Sequence, residues 1–137
     1  MVLVSACLAG ERCRYDGARK PHPVVVSLVE RGEAVAVCPE VLGGLPTPRV
    51  PSERVGERVV NRAGVDVTAS FVAGAERALE ICLEQGCTEA ILKSRSPSCG
   101  RGQIYDGSFS GTLVAGNGIF ADLLLAHGIP VHTEEDL

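Results

Sequence analysis

The sequence lacks tryptophan altogether, and aromatic residues make up only 4% of its 137 residues. A core without large aromatic side chains must be built from valine, leucine, isoleucine and alanine, which suits parallel strands buried between helices. The apolar fraction of 45% and the charged fraction of 22% exclude an intrinsically disordered chain. At this length a single domain, spanning residues 1–137, is expected.

Blocks of lysine or arginine are also missing, and the net charge is −4. A protein that binds a nucleic-acid backbone needs a concentrated positive surface, so we expect a small-molecule ligand instead. The apolar run at the first residues has no basic flank and is too short for a signal sequence or a membrane span. These features predict a cytoplasmic protein that associates with neither nucleic acid nor membrane.

None of the six cysteines forms a Cys-x-x-Cys pair, and the three histidines have no metal-ligand spacing. In a reducing compartment, six cysteines indicate metal ligation, redox chemistry or small buried residues more often than disulfides. The position of each cysteine relative to the predicted strands therefore indicates which of these roles it has.

Short apolar runs alternate with helical patterns along the chain. They predict strands at 2–4, 34–37, 90–92 and 129–132, and helices at 24–31, from about 68 to the glycine at 86, and at 118–127. Four prolines and two glycines between Pro39 and Pro51 predict a shaped loop without regular structure. This alternation implies right-handed crossovers, and the predicted fold is α/β: a Rossmann-like three-layer sandwich with a mostly parallel central sheet.

Three cysteines fall at the carboxyl ends of three different predicted strands: Cys7, Cys38 and Cys99. Because ligands of parallel sheets bind in the crevice at that edge, the three thiols are expected to meet around one centre. Thiolates select soft metals, so zinc and iron–sulfur clusters are the candidate occupants. Three thiolates without a nearby histidine favour a cluster with one open iron over a closed zinc site, although Cys13 is a possible fourth ligand.

The other two cysteines have simpler interpretations. Cys82 lies on the apolar stripe of the central predicted helix and is expected to be a core residue. Cys87 follows the Gly86 stop and is interpreted as an incidental thiol. Asp16 and Asp106 occur in two Tyr-Asp-Gly segments, where turn formation is the favoured role.

Glu40 follows Cys38 by two residues and is the candidate general base, with capping of backbone N–H groups as the alternative. Ser96 and Ser98 flank Pro97 in the Cys99 loop and offer hydroxyl groups to a substrate, although turn serines mostly bond their own backbone. Four cationic residues in the predicted loops are candidates for binding an anionic substrate or for ordinary ion pairs. They are Arg49, Lys93, Arg95 and Arg101.

Several segments together resemble a known family. The strongest are Ser5-Ala6-Cys7-Leu8-Ala9-Gly10, Cys13-Arg14-Tyr15-Asp16-Gly17, Cys38-Pro39-Glu40, Gly43-Gly44-Leu45-Pro46-Thr47-Pro48-Arg49 and Ser96-Pro97-Ser98-Cys99-Gly100. The combination is specific and resembles the bacterial DUF523 family, which includes the thiouracil desulfidases. Weaker matches extend the resemblance across essentially the whole chain.

The resemblance implies a [4Fe–4S] cluster held by three cysteines, whose fourth iron takes the sulfur atom of a thiocarbonyl substrate. Carried onto this sequence, the implied ligands are Cys7, Cys38 and Cys99, with Cys13 in place of Cys7 as the alternative. Glu40 and Ser96 match positions implicated in catalysis. The implied substrate is a thiolated nucleobase or nucleotide, and a binding or sulfur-transfer protein with a cluster or zinc is the alternative function.

Overall fold

The computed structural model of the protein describes all residues 1–137, which form eight strands and four α-helices. The strands are β1 (Val2–Ser5), β2 (Ala34–Val37), β3 (Ser52–Val55), β4 (Arg58–Asn61), β5 (Glu89–Leu92), β6 (Gln103–Tyr105), β7 (Leu113–Ala115) and β8 (Val131–Thr133). The helices are α1 (Pro23–Glu30), α2 (Pro39–Leu42), α3 (Thr68–Glu84) and α4 (Ile119–Ala126). Single 3₁₀ turns follow β1, at Ala6–Ala9, and β8, at Glu134–Asp136.

The central sheet has the strand order β2-β1-β5-β8, and all three pairings are parallel. Val2 is in register with Ala34 of β2 and with Glu89 of β5, so β1 has a neighbour on each side. Every predicted strand and helix is present, with bounds that differ by at most two residues. The predicted three-layer α/β fold with a parallel sheet is confirmed.

Alternate residues of β1 enter the two cores on the opposite faces of the sheet. Leu3 packs in the larger core, which α3 and α4 cover with Phe120 among its fully buried side chains. Val4 packs in the smaller core beside Val25 of α1. Burial of a side chain of this size stabilises the fold by roughly 1.5–3 kcal/mol. Helices therefore cover both faces, as the short all-apolar strands predict.

The prediction that residues 39–51 contain no regular structure is wrong at one end, because α2 occupies Pro39–Leu42. Proline is compatible with a first helical turn, since its missing N–H has no partner there anyway. Close backbone contact with α3 then holds α2 in place. A Cβ atom on Gly74 would lie 1.9 Å from the carbonyl oxygen of Pro39, and one on Gly43 would lie 2.0 Å from that of Ser70.

Two antiparallel hairpins, β3–β4 and β6–β7, are additional to the predicted elements. The first closes through Gly56, whose φ of 60° lies in the left-handed region that a tight hairpin turn requires. These strands are only three or four residues long, and polar or charged residues flank or interrupt their apolar positions, so the patterns that mark the central sheet do not predict them. The two hairpins place additional side chains above the carboxyl edge of that sheet.

The end of α3 explains the two cysteines that lie outside the predicted site. The N–H group of Cys87 bonds the carbonyl of Cys82 at 2.9 Å, and that of Gly86 bonds Leu83 at 3.2 Å. These two bonds define a Schellman motif, in which an apolar contact accompanies the turn. Cys82 and Cys87 supply that contact and are both buried, which confirms the core role predicted for Cys82.

Helix length also bears on membrane association. None of the four helices combines the length and the apolar character that a membrane span requires.

Candidate active site

A cavity of about 510 Å³ opens at the carboxyl edge of the central sheet. The chain leaves β1 for β2 on one side and returns from β2 to β5 on the other, so β1 and β5 flank the point where the strand order reverses. Loops diverge at such a point and leave a crevice for a ligand. Its walls come from the segments after β1, β2 and β5 and from the two hairpins.

Four thiols line this cavity: those of Cys7, Cys13, Cys38 and Cys99. Cys7 lies in the 3₁₀ turn after β1, and Cys38 is the residue immediately before α2. Cys13 lies close to both, because Cys38 and Cys7 are the two side chains that affect the pKa of its thiol most. The Cys38 thiol also donates to the Cys13 carbonyl at 3.7 Å. The topology thus brings the three predicted ligands, and Cys13, to one cavity.

Proximity and burial raise the pKa of three of these thiols, those of Cys13, Cys38 and Cys99. The Cys38 thiol lowers the pKa of Cys13, but contact with Cys7 and burial raise that pKa further, to about 11. Contact with Cys13 and burial raise the pKa of Cys38 well above its ordinary value. Burial raises the pKa of Cys99 to about 12. Binding of a metal centre would therefore release protons from these groups.

A tetrahedral zinc site needs its ligands about 2.3 Å from one point. No three His, Cys, Asp or Glu side chains are grouped to hold a single ion in that way. The four thiols line the wall of a wider space instead.

The loop that carries Cys99 is fixed by the start of α4. The carbonyl oxygens of Pro97 and Ser98 accept N–H groups of Ile119 and Phe120 at 2.8 and 2.9 Å, which satisfies donors that a helix N-terminus leaves free. Gly118 allows this close approach, because a Cβ atom there would lie 2.2 Å from the backbone of Ser98. The Cys99 thiol is therefore held on rigid backbone.

Two buried hydroxyl groups fit a thiolate at Cys99. The Ser98 hydroxyl is fully buried and has no hydrogen-bond partner among the protein's oxygen and nitrogen atoms. The Ser5 hydroxyl accepts from the N–H group of Lys93 at 2.9 Å, which leaves its own proton to donate. Both hydroxyls lower the pKa of Cys99, against the larger effect of burial. Soft thiolates supported by hydroxyl donors are a donor set that suits an iron–sulfur cluster.

Glu40 lies in the first turn of α2 and lines the same cavity. Its Oε1 accepts from Nε of Arg49 at 3.2 Å, and both side chains are largely buried. Burial raises the pKa of Glu40, while the neighbouring Arg49 opposes that shift. Arg49, one of the four predicted loop cations, is thus an ion-pair partner of the candidate base.

Ser96 lines the same cavity as Glu40. Its Oγ accepts the N–H groups of Ser98 and Cys99 at 3.1 and 3.0 Å, as turn serines commonly do. These two bonds use the lone pairs of the oxygen and leave the hydroxyl proton free to donate. The backbone interaction therefore orients the hydroxyl and does not remove it from chemistry.

Two further cations in the Cys99 loop have carboxylate partners near the end of the chain. Nζ of Lys93 lies 2.8 Å from Glu134, and the guanidinium of Arg95 lies 2.7 Å from Glu135. The N–H group of Ser94 also donates to Glu134 at 2.7 Å. These bonds anchor the loop that precedes Ser96 to the segment after β8.

The two Tyr-Asp-Gly segments have the predicted structural role. Asp16 accepts the N–H group of Ala18 at 2.9 Å, and Asp106 accepts that of Ser108 at the same distance. Both aspartates thus close turns, which position Tyr15 and Tyr105 in the lining of the cavity.

Sequence reasoning missed the residues that the β6–β7 loop contributes. Phe109 lines the cavity, and Glu53 of β3 accepts its N–H group. The Asp-Gly turn signal at 106–107 marks the loop, but no local pattern shows that it folds over the cysteine site.

The fold and the site are those of a known family. A family model described as 2-thiouracil desulfurase matches residues 2–136, and the chain belongs to this family.

Two individual proteins show how close the similarity is. YbbK of Bacillus subtilis (strain 168), an uncharacterized protein, is 41% identical over 147 residues, which cover 100% of this chain and 97% of YbbK. The solved structure of the [4Fe-4S]-dependent thiouracil desulfidase TudS (DUF523Vcz) is 53% identical, with a TM-score of 0.95. That match covers 99% of this chain and 91% of TudS.

Proposed function

We propose that this protein is a [4Fe–4S]-dependent desulfidase that hydrolyses the C=S group of a thiolated pyrimidine to C=O and releases sulfide. The observation that carries the proposal is the single cavity lined by Cys7, Cys38, Cys99, Glu40 and Ser96. Membership of the 2-thiouracil desulfurase family and 53% identity to TudS support the same reaction. The substrate class is a thiolated nucleobase or nucleotide, which a cavity of about 510 Å³ can accommodate.

Cys7, Cys38 and Cys99 are the residues that would hold the cluster, and Cys13 lies beside two of them. A cluster held by these three thiolates would supply Lewis-acid chemistry for the thiocarbonyl sulfur and for the departing sulfide. No net electron transfer is required, because water replaces sulfur at a carbon whose oxidation state does not change.

Glu40 acts as the general base in this proposal. No protein donor bonds its Oε2 atom, while Arg49 holds Oε1 and fixes the carboxylate in place. Glu40 takes a proton from water as the water oxygen bonds to the thiocarbonyl carbon. The protonated Glu40 then returns this proton to the sulfur, the C–S bond breaks and hydrosulfide leaves, and the added hydroxyl loses its proton to solvent as the carbonyl forms.

Ser96 donates a hydrogen bond to the substrate. Its hydroxyl oxygen is fixed by two backbone N–H groups, so its proton points away from its own loop. A preorganised donor of this kind stabilises negative charge that develops on the ring or on the leaving sulfur.

We further infer that residues 1–137 act as one desulfidase domain in the cytoplasm. Cys7, a residue of the site, lies near one end of the chain. The Lys93–Glu134 ion pair connects the loop that precedes Ser96 to residues near the other end. Six cysteines without a disulfide suit a reducing compartment.

Sulfide release tests the proposed reaction. Protein reconstituted anaerobically with iron and sulfide is incubated with 2-thiouracil or 4-thiouracil, and sulfide and uracil are quantified together. Sulfide and uracil are expected in equal amounts, over several turnovers of each protein molecule. Binding without uracil formation would favour the alternative of a binding protein, and a sulfide yield that depends on an added thiol acceptor would favour sulfur transfer.

A further inference from the structure

Phe109 has a backbone conformation that a bulky residue rarely adopts. Its φ is 56°, in the left-handed region where the side chain crowds its own backbone. Such a conformation persists only where the surrounding structure enforces it, and it is concentrated at ligand sites. Phe109 lines the cavity, so the unfavourable backbone holds an aromatic ring at the site.

A buried carboxylate enforces this conformation. Oε1 of Glu53 accepts the N–H group of Gly107 at 2.9 Å and that of Phe109 at 3.1 Å. The side chain of Glu53 comes from the β3–β4 hairpin, and the residue is only 9% exposed. Glu53 therefore ties the β6–β7 loop to the neighbouring hairpin.

A cation lies over one face of the Phe109 ring. The guanidinium carbon of Arg62 is 5.8 Å from the ring centroid, and Arg62 also lines the cavity. The side chain of Arg62 makes no salt bridge with a carboxylate, and its contact with the uncharged ring is a cation–π interaction. Arg62 therefore contacts one face of the ring at the edge of the cavity.

The cavity has two other aromatic residues, and the ring of Tyr15 also has a guanidinium near it, that of Arg14, 5.6 Å from the ring centroid. Tyr15 is 40% exposed, and Tyr105 lies within the regular strand β6. Neither has the left-handed backbone or the buried carboxylate anchor that fixes Phe109.

We propose that Phe109 is the surface on which the planar ring of the substrate stacks, with Glu53 as the positioning residue that holds it there. The inference rests on the proposed function and extends it to the selection of aromatic heterocycles over non-planar thiocarbonyl compounds. Stacking on an aromatic side chain contributes to ring binding in the ground state and the transition state alike, so it affects KM more than kcat.

The test compares wild-type, Phe109→Leu and Phe109→Tyr proteins loaded with the cluster. For hydrolysis of 2-thiouracil, we expect Phe109→Leu to raise KM about 5- to 150-fold with little change in kcat, and Phe109→Tyr to retain the wild-type KM. Calorimetry with uracil and 5,6-dihydrouracil, whose saturated ring cannot stack, gives a readout without turnover. Wild type should prefer uracil, and Phe109→Leu should lose that preference.

Variants of Glu53 test the positioning role. Glu53→Leu should raise KM as Phe109→Leu does, whereas Glu53→Gln, which keeps an acceptor oxygen, should restore most of the binding. Unchanged KM and an unchanged uracil preference in Phe109→Leu would overturn the inference, as would a ring preference that disappears only in Tyr15→Leu. If the wild-type protein binds uracil more tightly than 5,6-dihydrouracil and loses this preference in Phe109→Leu, but releases no sulfide, the proposed reaction is refuted and the stacking role of Phe109 stands.

Discussion

Nε of Arg49 lies 3.2 Å from Oε1 of Glu40, and the two side chains are only 6% and 18% exposed. The same guanidinium donates to the carbonyl oxygens of Pro46 and Cys13, both at 3.1 Å. One cation therefore connects the candidate base, the proline-rich loop and the backbone of a cysteine in the site.

Replacing Arg49 should destabilise the protein strongly. Arg49→Met leaves the buried Glu40 carboxylate without its partner, and breaking a buried pair in this way costs about 3–5 kcal/mol. Urea unfolding of the cluster-free protein measures the change. Arg31→Met is the matched control, because its pair with Glu33 is exposed on both sides and contributes at most about 1 kcal/mol. Equal effects of the two substitutions would contradict a buried ion pair at Glu40.

Removing the carboxylate of Glu40 should abolish most turnover and leave the cluster in place. Losing a general base lowers the rate about 10²- to 10⁴-fold, so Glu40→Gln is expected to fall in that range. Sulfide release and the visible absorption of the cluster are measured on the same samples. Glu33→Gln, at an exposed position, serves as the control. Activity close to wild type in Glu40→Gln would mean that Glu40 is not the general base.

Single substitutions of the cavity cysteines should identify the ligands. Cys7→Ser, Cys38→Ser and Cys99→Ser are each expected to lose bound iron and sulfide after reconstitution, because the softer thiolate is replaced by a hydroxyl. Cys13→Ser is expected to retain both. Cys87→Ala, outside the cavity, controls for the loss of a thiol. If Cys13→Ser loses iron and Cys7→Ser retains it, Cys13 and not Cys7 is the third ligand.

Ser98→Ala should have opposite effects on the two forms of the protein. Without a cluster, the buried hydroxyl has no oxygen or nitrogen partner and faces only the Cys99 thiol, a weak acceptor, so its removal is expected to raise the free energy of unfolding by about 1 kcal/mol. With a cluster, the substitution removes a donor to the Cys99 sulfur, and the reduction potential should fall. Chemical denaturation and a redox titration give the two values. A potential equal to that of wild type would mean that the hydroxyl does not reach the sulfur.

Local patterns were sufficient to predict the central sheet and its helices. Apolar runs such as 34–37 identify buried strands, and the glycine after α3 marks where that helix ends. The same patterns place Cys7, Cys38 and Cys99 at strand ends, which predicts their shared cavity. Patterns of this kind succeed because backbone period and burial are properties of a short segment.

The hairpins and α2 could not be predicted in the same way. The hairpin strands are only three or four residues long and α2 is a single turn, and contacts with distant segments stabilise these elements, such as the approach of Gly43 to Ser70. The position of Cys13 beside two other thiols likewise depends on loop closure, for which the sequence carries no period.

By itself, the sequence determined that this is an α/β protein of the 2-thiouracil desulfurase family, with three cysteines at one edge of a parallel sheet. The tertiary structure alone decided that Arg49 pairs with Glu40 and that Glu53 holds Phe109 over the cavity. The physical reason is the range of the interactions. Periodicity records which side of a strand or helix is buried, whereas a bond between Glu53 and Phe109, 56 residues apart, exists only after the chain has folded.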